Sequence, residues 1–495
     1  MSRVLAATCL IASALIASTW CGGVAAGPVE DGLAAVQRGD FRAAEGLWRP
    51  LAEKGDVVAQ RNLGALYFAG RGNLNIPGEA MKWFRASAAQ GDILAQNYIG
   101  NMYYQGQGVL KDVTEAIKWY TMAAAKGDAL TQYNLGVIYF SGDAGKPDYV
   151  NALKWFLKAA EQGNAEAAKN AAGMYLSGQG VAANPALAFK WYKVAAEKGQ
   201  PEAENALGYM YTNGEGGAPV DYAEAMKWFR AAADKGFSEA ARNIGILYDA
   251  GQGVAANPVE AMKWYRKAAG AGNALASYNL GVIYAADFYA EQGVKQDLTE
   301  AMFWILRAAN AGVLQAQVAV AEMYAAGRGI GRNQAEAANW YLKAAEKGDA
   351  HAQAMVAKAF TNGNGVAKNE ADAAKWYRAA ADQGDTASQY AVGQIYAEGR
   401  GLNPDPAAAV TWFRKAADRG NAEAQLALAK AYEQGAGTPK DPAQAFMWYA
   451  VAAVRMQDGD QKTAATAARD RVRAALDPAA ATVAEKRAAS WKPSA

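Results

Sequence analysis

DILAQNYIGNMYYQGQGVLKDVTEAIKWYTMAAAKG, the stretch Asp92–Gly127, decides the fold. Asp92 and Asp112 each stand at the head of a run with helical periodicity, where a short carboxylate accepts a hydrogen bond from an orphan amide. The first run, Asp92 to Gly106, reads as helix A. The turn Gly106-Gln107-Gly108 follows, and Asp112 to Lys126 reads as helix B, closed by Gly127. Working outward, Trp119 recurs as Trp83, Trp155, Trp191, Trp228, Trp264, Trp304, Trp340, Trp376, Trp412 and Trp448, mostly 36 residues apart. Tyr103 recurs in step, from Tyr67 to Tyr432, with Phe360 in one copy. Two aromatic ladders in register define eleven copies of one unit and predict an all-α, αα-superhelical solenoid of about eleven 36-residue helix-turn-helix repeats with helical caps.

The remaining repeated positions fit that unit. Three residues before the helix-A aromatic stands Gly or Ala, as in Gly64, Gly100 and Gly136. A helical glycine costs about 1 kcal/mol, so its recurrence predicts close backbone approach to a neighbour. In helix B, Ala precedes Trp by three residues (Ala80 to Ala445) and follows it by five (Ala88 to Ala453), making room for the indole. Each buried indole removes about 150–250 Å² from water, an upper bound of about 4–6 kcal/mol per repeat. Seven residues before Trp, ten copies carry Asp or Asn, and Pro185, Pro258, Pro406 and Pro442 follow at the first helical position. Glu115, Glu224, Glu260, Glu300 and Glu336 lie where a capping box would place them. The predicted organisation is a leader over residues 1–26, N-terminal capping helices over 27–55 (a helix-B-like segment with Trp48), repeats over 56–457 and C-terminal capping helices over 458–495.

The segments Asn134-Leu135-Gly136-Val137-Ile138-Tyr139 and Asp112-Val113-Thr114-Glu115-Ala116-Ile117-Lys118-Trp119 resemble the Sel-one-like repeat, a branch of the tetratricopeptide superfamily. The resemblance spans about residues 30–457. It implies an αα-superhelix whose concave face binds partners, and exported bacterial relatives are associated with envelope signalling, surface assembly and host interaction. One cysteine-rich, penicillin-binding group carries a disulfide in each repeat. This chain has its only two cysteines, Cys9 and Cys21, inside the leader, which separates it from that group.

The leader itself is read from Arg3, the apolar run Val4 to Ile16, and the small residues Val24-Ala25-Ala26 at a signal-peptidase site. The run is too short for a membrane span, so the expectation is a periplasmic or secreted chain with no stable span after leader removal. Fifty Lys and Arg stand against 48 Asp and Glu, a net +2 that gives no bulk attraction to nucleic acid. Catalytic chemistry finds little to work with. His351 is the sole histidine, at a variable position of a helix A, and no Ser-x-x-Lys occurs. The Gly-x-Gly turns follow helices rather than strands, unlike a nucleotide-binding fingerprint. No enzyme activity, metal or cofactor is expected. The lysines before Trp, such as Lys82, Lys118 and Lys154, could attract an anionic polymer, but a stem lying over its aromatic neighbour explains them better.

One irregularity stands out. Between Tyr284 and Trp304 the unit grows by four residues, and the inserted turn carries Asp287, Phe288 and Tyr289. Insertions map to loops and often to binding faces, and paired aromatics anchor interfaces, so these three form the candidate partner-binding loop. Packing against a local gap is the alternative. The expected function is an exported scaffold that binds a protein or peptide through variable, outward residues of helices A, in envelope signalling or assembly. A cell-wall glycan-binding or cell-wall-modifying role is the alternative.

Overall fold

The computed structural model describes residues 27–70, 75–457 and 459–494. The proposed leader, and Arg71 and Gly72 of the first Gly-x-Gly turn, lie outside the described residues. Twenty-six α-helices and no strands occur among the described residues. Eleven pairs run from Val57–Ala69 with Pro77–Ala89 to Ala422–Gln434 with Pro442–Arg455, and nearly every helix has 13 residues. The chain divides into two compact units, one ending at Ala240 and the other beginning at Ala241.

The helix starts are chemically specified. In all ten copies with Asp or Asn before helix B, that side chain accepts a backbone N–H of the first turn, as from Asp112 to Glu115 N at 2.9 Å. Helix A is capped the same way by Asp56, Asp92, Asp128 and their counterparts. The glutamates at the capping-box position behave differently from expectation. Their carboxylates turn along the helix, to the lysine three residues on in Glu79, Glu115, Glu224 and Glu260. Glu79 and Glu300 also accept the indole N–H of Trp83 and Trp304, at 3.2 and 3.1 Å.

The core corrects the reading of the tryptophans. Trp83, Trp155, Trp191, Trp340, Trp412 and Trp448 are buried, but Trp119, Trp228, Trp264, Trp304 and Trp376 are only half-buried. In nine copies the residue after Trp is buried as well: Phe84, Tyr120, Phe156, Phe229, Tyr265, Ile305, Tyr341, Phe413 and Tyr449, with Tyr192 and Tyr377 half-buried. One residue of a helix is a 100° rotation, so the two side chains share the inner half of helix B and the second points at helix A. This is what the helix-A glycine accommodates. A Cβ on Gly136 would lie 2.5 Å from the Phe156 ring. The indole stands at the edge of the core under cationic stems, with the Lys190 ammonium 5.1 Å from the Trp191 ring centroid and Lys343 3.7 Å from Trp340.

Repeats are tied to one another by polar contacts that the aromatic pattern does not show. A buried glutamine in helix A donates to the carbonyl of an alanine near the end of the preceding helix B, five residues after Trp in Gln132 to Ala124, Gln353 to Ala345 and Gln425 to Ala417, and four after Trp48 in Gln60 to Ala52, at 3.0–3.2 Å. The small alanine lets the amide reach that carbonyl, which also accepts the N–H of the closing glycine, as Ala124 does from Gly127 at 3.1 Å. One residue before the closing glycine, a long side chain reaches back a full repeat. Lys126, Lys235 and Lys347 donate to the carbonyls of Gly91, Gly199 and Gly312 at 2.7–3.0 Å. The Gly-x-Gly turn is also a repeat contact. Gly329 has φ +72°, and a Cβ there would fall on the Leu298 carbonyl, in the first turn of the preceding helix B.

The ends depart from the unit. Residues 28–53 form two helices, Pro28–Gln37 and Phe41–Glu53, and the second is the helix-B-like segment with Trp48. Trp48 is buried between them and donates its indole N–H to Val29 O at 3.0 Å, a fit that requires Gly32. After the last pair, Asp460–Ala474 and Pro478–Ser490 pack on Pro442–Arg455. Val472 and Ala484 join the core there, and Trp491 meets Trp448 edge-on with centroids 5.9 Å apart.

Candidate partner-binding surface

Helix A buries the positions three, four, seven, eight and ten residues after its cap, and half-buries the aromatic eleven after it in most repeats. The arc left outside holds the residues two, five, six, nine and twelve after the cap, which helical geometry puts on one face. In the first three repeats this face is rich in apolar and aromatic residues, and the fourth keeps Leu176 beside Glu166 and Lys169. Two residues after the cap stand Val58, Leu94 and Leu130, exposed by 38, 49 and 45%. Twelve after the cap stand Phe68, Tyr104, Phe140 and Leu176, and between them lie Tyr98 and Tyr133.

Contacts join the face from repeat to repeat. Phe68 meets Tyr98 edge-on at 6.1 Å, and Tyr98 stacks on Phe84 at 4.6 Å. Asn97 donates to Thr131 at 2.5 Å, and Arg61 is neutralised by Asp92 at 3.1 Å. Phe140 rests against Tyr149 at 5.3 Å. Burial pushes the Tyr98 hydroxyl up to about 12, and burial with a hydrogen bond to Asp143 does the same for Tyr104. Both remain neutral donors at any physiological pH, so the face offers apolar area with uncharged hydroxyl and amide groups. Such a surface suits desolvation against a partner.

The inserted turn is divided in character. Tyr289 folds back: its hydroxyl donates to Asp249 at 2.7 Å, and its carbonyl accepts Val294 N, whose side chain is buried. Phe288 stacks on Tyr289 with centroids 4.0 Å apart but is 67% exposed, and Asp287 is exposed beside it. The structure therefore gives Tyr289 a packing role and leaves Phe288 outward.

The other residues singled out take surface or structural places. His351 is exposed, 3.5 Å from Glu322 and edge-on to Tyr341. No group of three or more His, Cys, Asp or Glu that could hold a metal occurs among the described residues. No helix among them is long and apolar enough to cross a membrane. Sequence reasoning assigned binding to outward helix-A residues without naming them. The signal was the size of the side chains two and twelve residues after the cap in the first four copies.

A stack of helix pairs with this unit and this outer face defines a tandem-repeat scaffold. The Sel1 repeat family matches eleven segments, from residues 57–92 through 422–453, and the chain belongs to that family. The Sel1 repeat is a typically non-catalytic scaffold fold that generally mediates protein–protein interaction. Among solved structures, a protective antigen of uropathogenic Escherichia coli with an SLR fold is 32% identical, with a TM-score of 0.58, over 90% of this chain and 94% of that one. A Sel1 repeat protein from Oxalobacter formigenes is 28% identical, with a TM-score of 0.54, over 70% of this chain and 98% of that one. No curated protein matches the chain.

Proposed function

We propose that this chain is an exported scaffold that holds a protein partner on the outer face of helices A in its first four repeats. The observation that carries the reading is the row Val58, Leu94 and Leu130, one exposed apolar side chain per repeat, bordered by Phe68, Tyr104, Phe140 and Leu176. The core does not need these residues, since other copies fold with Glu166, Gln315 or Glu423 at the same position. Contiguous exposed apolar area on a repeat face supports an interaction site. Export is supported by the leader pattern of residues 1–26 and accords with the likeness to a protective antigen. An envelope role follows from that location.

The test uses the full chain as bait in an envelope extract of its own cell. A discrete protein should be retained by the natural chain and lost with Leu94→Glu/Leu130→Glu, while Ala387→Glu retains it. Equal retention of all three chains on purified peptidoglycan, with no protein recovered, would favour the glycan reading and sink this one. Export is checked by the N-terminal mass of the recovered chain. It should begin near Gly27, and a full-length N-terminus confined to the cytoplasm would remove that part of the proposal.

A further inference from the structure

The last helix B, Pro442–Arg455, lacks a neighbour that most interior helices B possess. In the interior, the Gly-x-Gly turn of the following repeat lies on the first turn of helix B, as Gly365 does at the Gln334 carbonyl and Gly437 at the Pro406 carbonyl. After Pro442 no further repeat exists to supply that turn. The place is taken only partly, by Pro478–Ser490. What remains is a cleft of about 320 Å³ between the two helices, lined by Ala443, Gln444, Met447, Ala480, Val483 and Arg487. Its floor is apolar and methionine-containing, a surface that adapts to an inserted side chain. Val483 and the cationic Arg487 stand exposed at its rim.

Elsewhere in the same chain a side chain of complementary character is held ready. Phe288 projects from the inserted turn, and its ring is fixed by stacking on Tyr289, which Asp249 anchors. Fixing an aromatic before contact reduces the entropy lost on docking. Exposed acids flank it, Asp287 on one side and Glu291 on the other. An aromatic plug with an acidic collar thus meets its counterpart in an apolar cleft with a basic rim, and the charge match favours this occupant over a neutral or basic one.

We propose that Phe288 of one molecule inserts into the C-terminal cleft of a second copy, with Asp287 and Glu291 facing Arg487. The contact joins two different patches, so it is heterologous and propagates into rings or open chains of molecules. It is independent of the helix-A face assigned to a protein partner.

Sedimentation velocity of the full chain over a wide concentration range tests it. The natural chain should gain mass with concentration, and less so at high salt, because the rim charges are screened. Phe288→Ser should leave monomers, and Arg487→Glu should weaken association at least about tenfold. Combining Arg487→Glu with Asp287→Lys/Glu291→Lys should restore it. Leu94→Glu/Leu130→Glu should leave it unchanged, which separates this contact from the helix-A surface. Helical circular dichroism of each variant shows that folding is intact, as expected for exposed positions. A natural chain that stays monomeric at every concentration overturns the proposal, as does association that survives both Phe288→Ser and Arg487→Glu.

Discussion

Repeats one to four and repeats eight to eleven share a core and differ on the outside. Phe156 and Tyr341 fill equivalent buried places, and Gln132 and Gln353 make the same bond to a preceding alanine carbonyl, at 3.0 and 3.2 Å. The outer face of helix A is another matter. Where the early repeats have Val58, Leu94 and Leu130, the late ones have Gln315, His351, Ala387 and Glu423. Where the early ones have Phe68, Tyr104, Phe140 and Leu176, the late ones have Ala325, Thr361, Ala397 and Glu433. Both regions hold the same helix pair with either set. Phe68, Tyr98 and Phe140 also pack against Phe84 or Phe156, whereas Val58, Leu94 and Leu130 stand exposed, so the proposed partner site rests on these three.

Breaking the shared core should hurt both regions alike. Phe156→Ala and Tyr341→Ala should each cost about 3–5 kcal/mol, read from denaturant unfolding together with hydrogen exchange of the flanking helices. A much smaller cost in one region would mean that the two cores are not equivalent. Trp119→Ala should cost distinctly less than Phe156→Ala, because its indole is only half-buried.

The surface contrast gives the next effect. Leu94→Glu/Leu130→Glu should weaken partner binding at least about tenfold, equivalent to about 1.4 kcal/mol, with unfolding unchanged within about 0.5 kcal/mol. Loss of stability instead would assign those leucines to the core. Removing a cap in either region, with Asp128→Ala or Asp349→Ala, should cost about 1 kcal/mol in thermal unfolding, since each carboxylate accepts a first-turn amide at 2.7 Å.

The smallest effect concerns acid. Hydrogen bonds from Tyr67 and Arg49 hold the Glu45 carboxyl below its ordinary range. Burial works to raise Glu433, but hydrogen bonds from Arg471 and Tyr449 outweigh it and leave it lowered. A lowered carboxyl contributes stability above the ordinary glutamate value and loses it as pH falls through the lowered one. Acid should therefore loosen the contacts at both ends of the array. Glu45→Gln and Glu433→Gln should flatten the loss seen by hydrogen exchange below the ordinary glutamate range.

Periodicity made the helix pairs, their caps and their glycines legible, because each depends on a residue type recurring at a fixed offset. The deeper position of Phe156 relative to Trp155 was not legible. Trp is constant in every copy while its successor varies among Phe, Tyr and Ile, so recurrence marked the indole, buried in six copies, and passed over the neighbour, buried in nine. The Gln60 and Gln353 bonds carried a signal in the repeated Ala-Gln pair, but their acceptor lies in the preceding helix B and only folding brings the two together. The outer face was hidden for the opposite reason. Val58, Leu94 and Leu130 belong to positions that do not repeat across the chain, so a search for recurrence passes over them. At the inserted turn, sequence named the two aromatics together, and the structure separates a tethered Tyr289 from an outward Phe288.

The reach of Lys126, Lys235 and Lys347 back to a glycine carbonyl one unit earlier has a consequence for how such a chain changes length. A module with such a side chain carries the hook for its predecessor and, in its closing glycine, the eye for its successor, as Gln90, Gln383 and Arg419 also show. Duplication or deletion of a complete module by recombination leaves every remaining hook with an eye. Gain or loss of a fraction of one leaves a hook with nothing to catch, so descendants of this protein are expected to differ by whole modules, and odd-sized insertions to be confined to turns such as the one bearing Phe288.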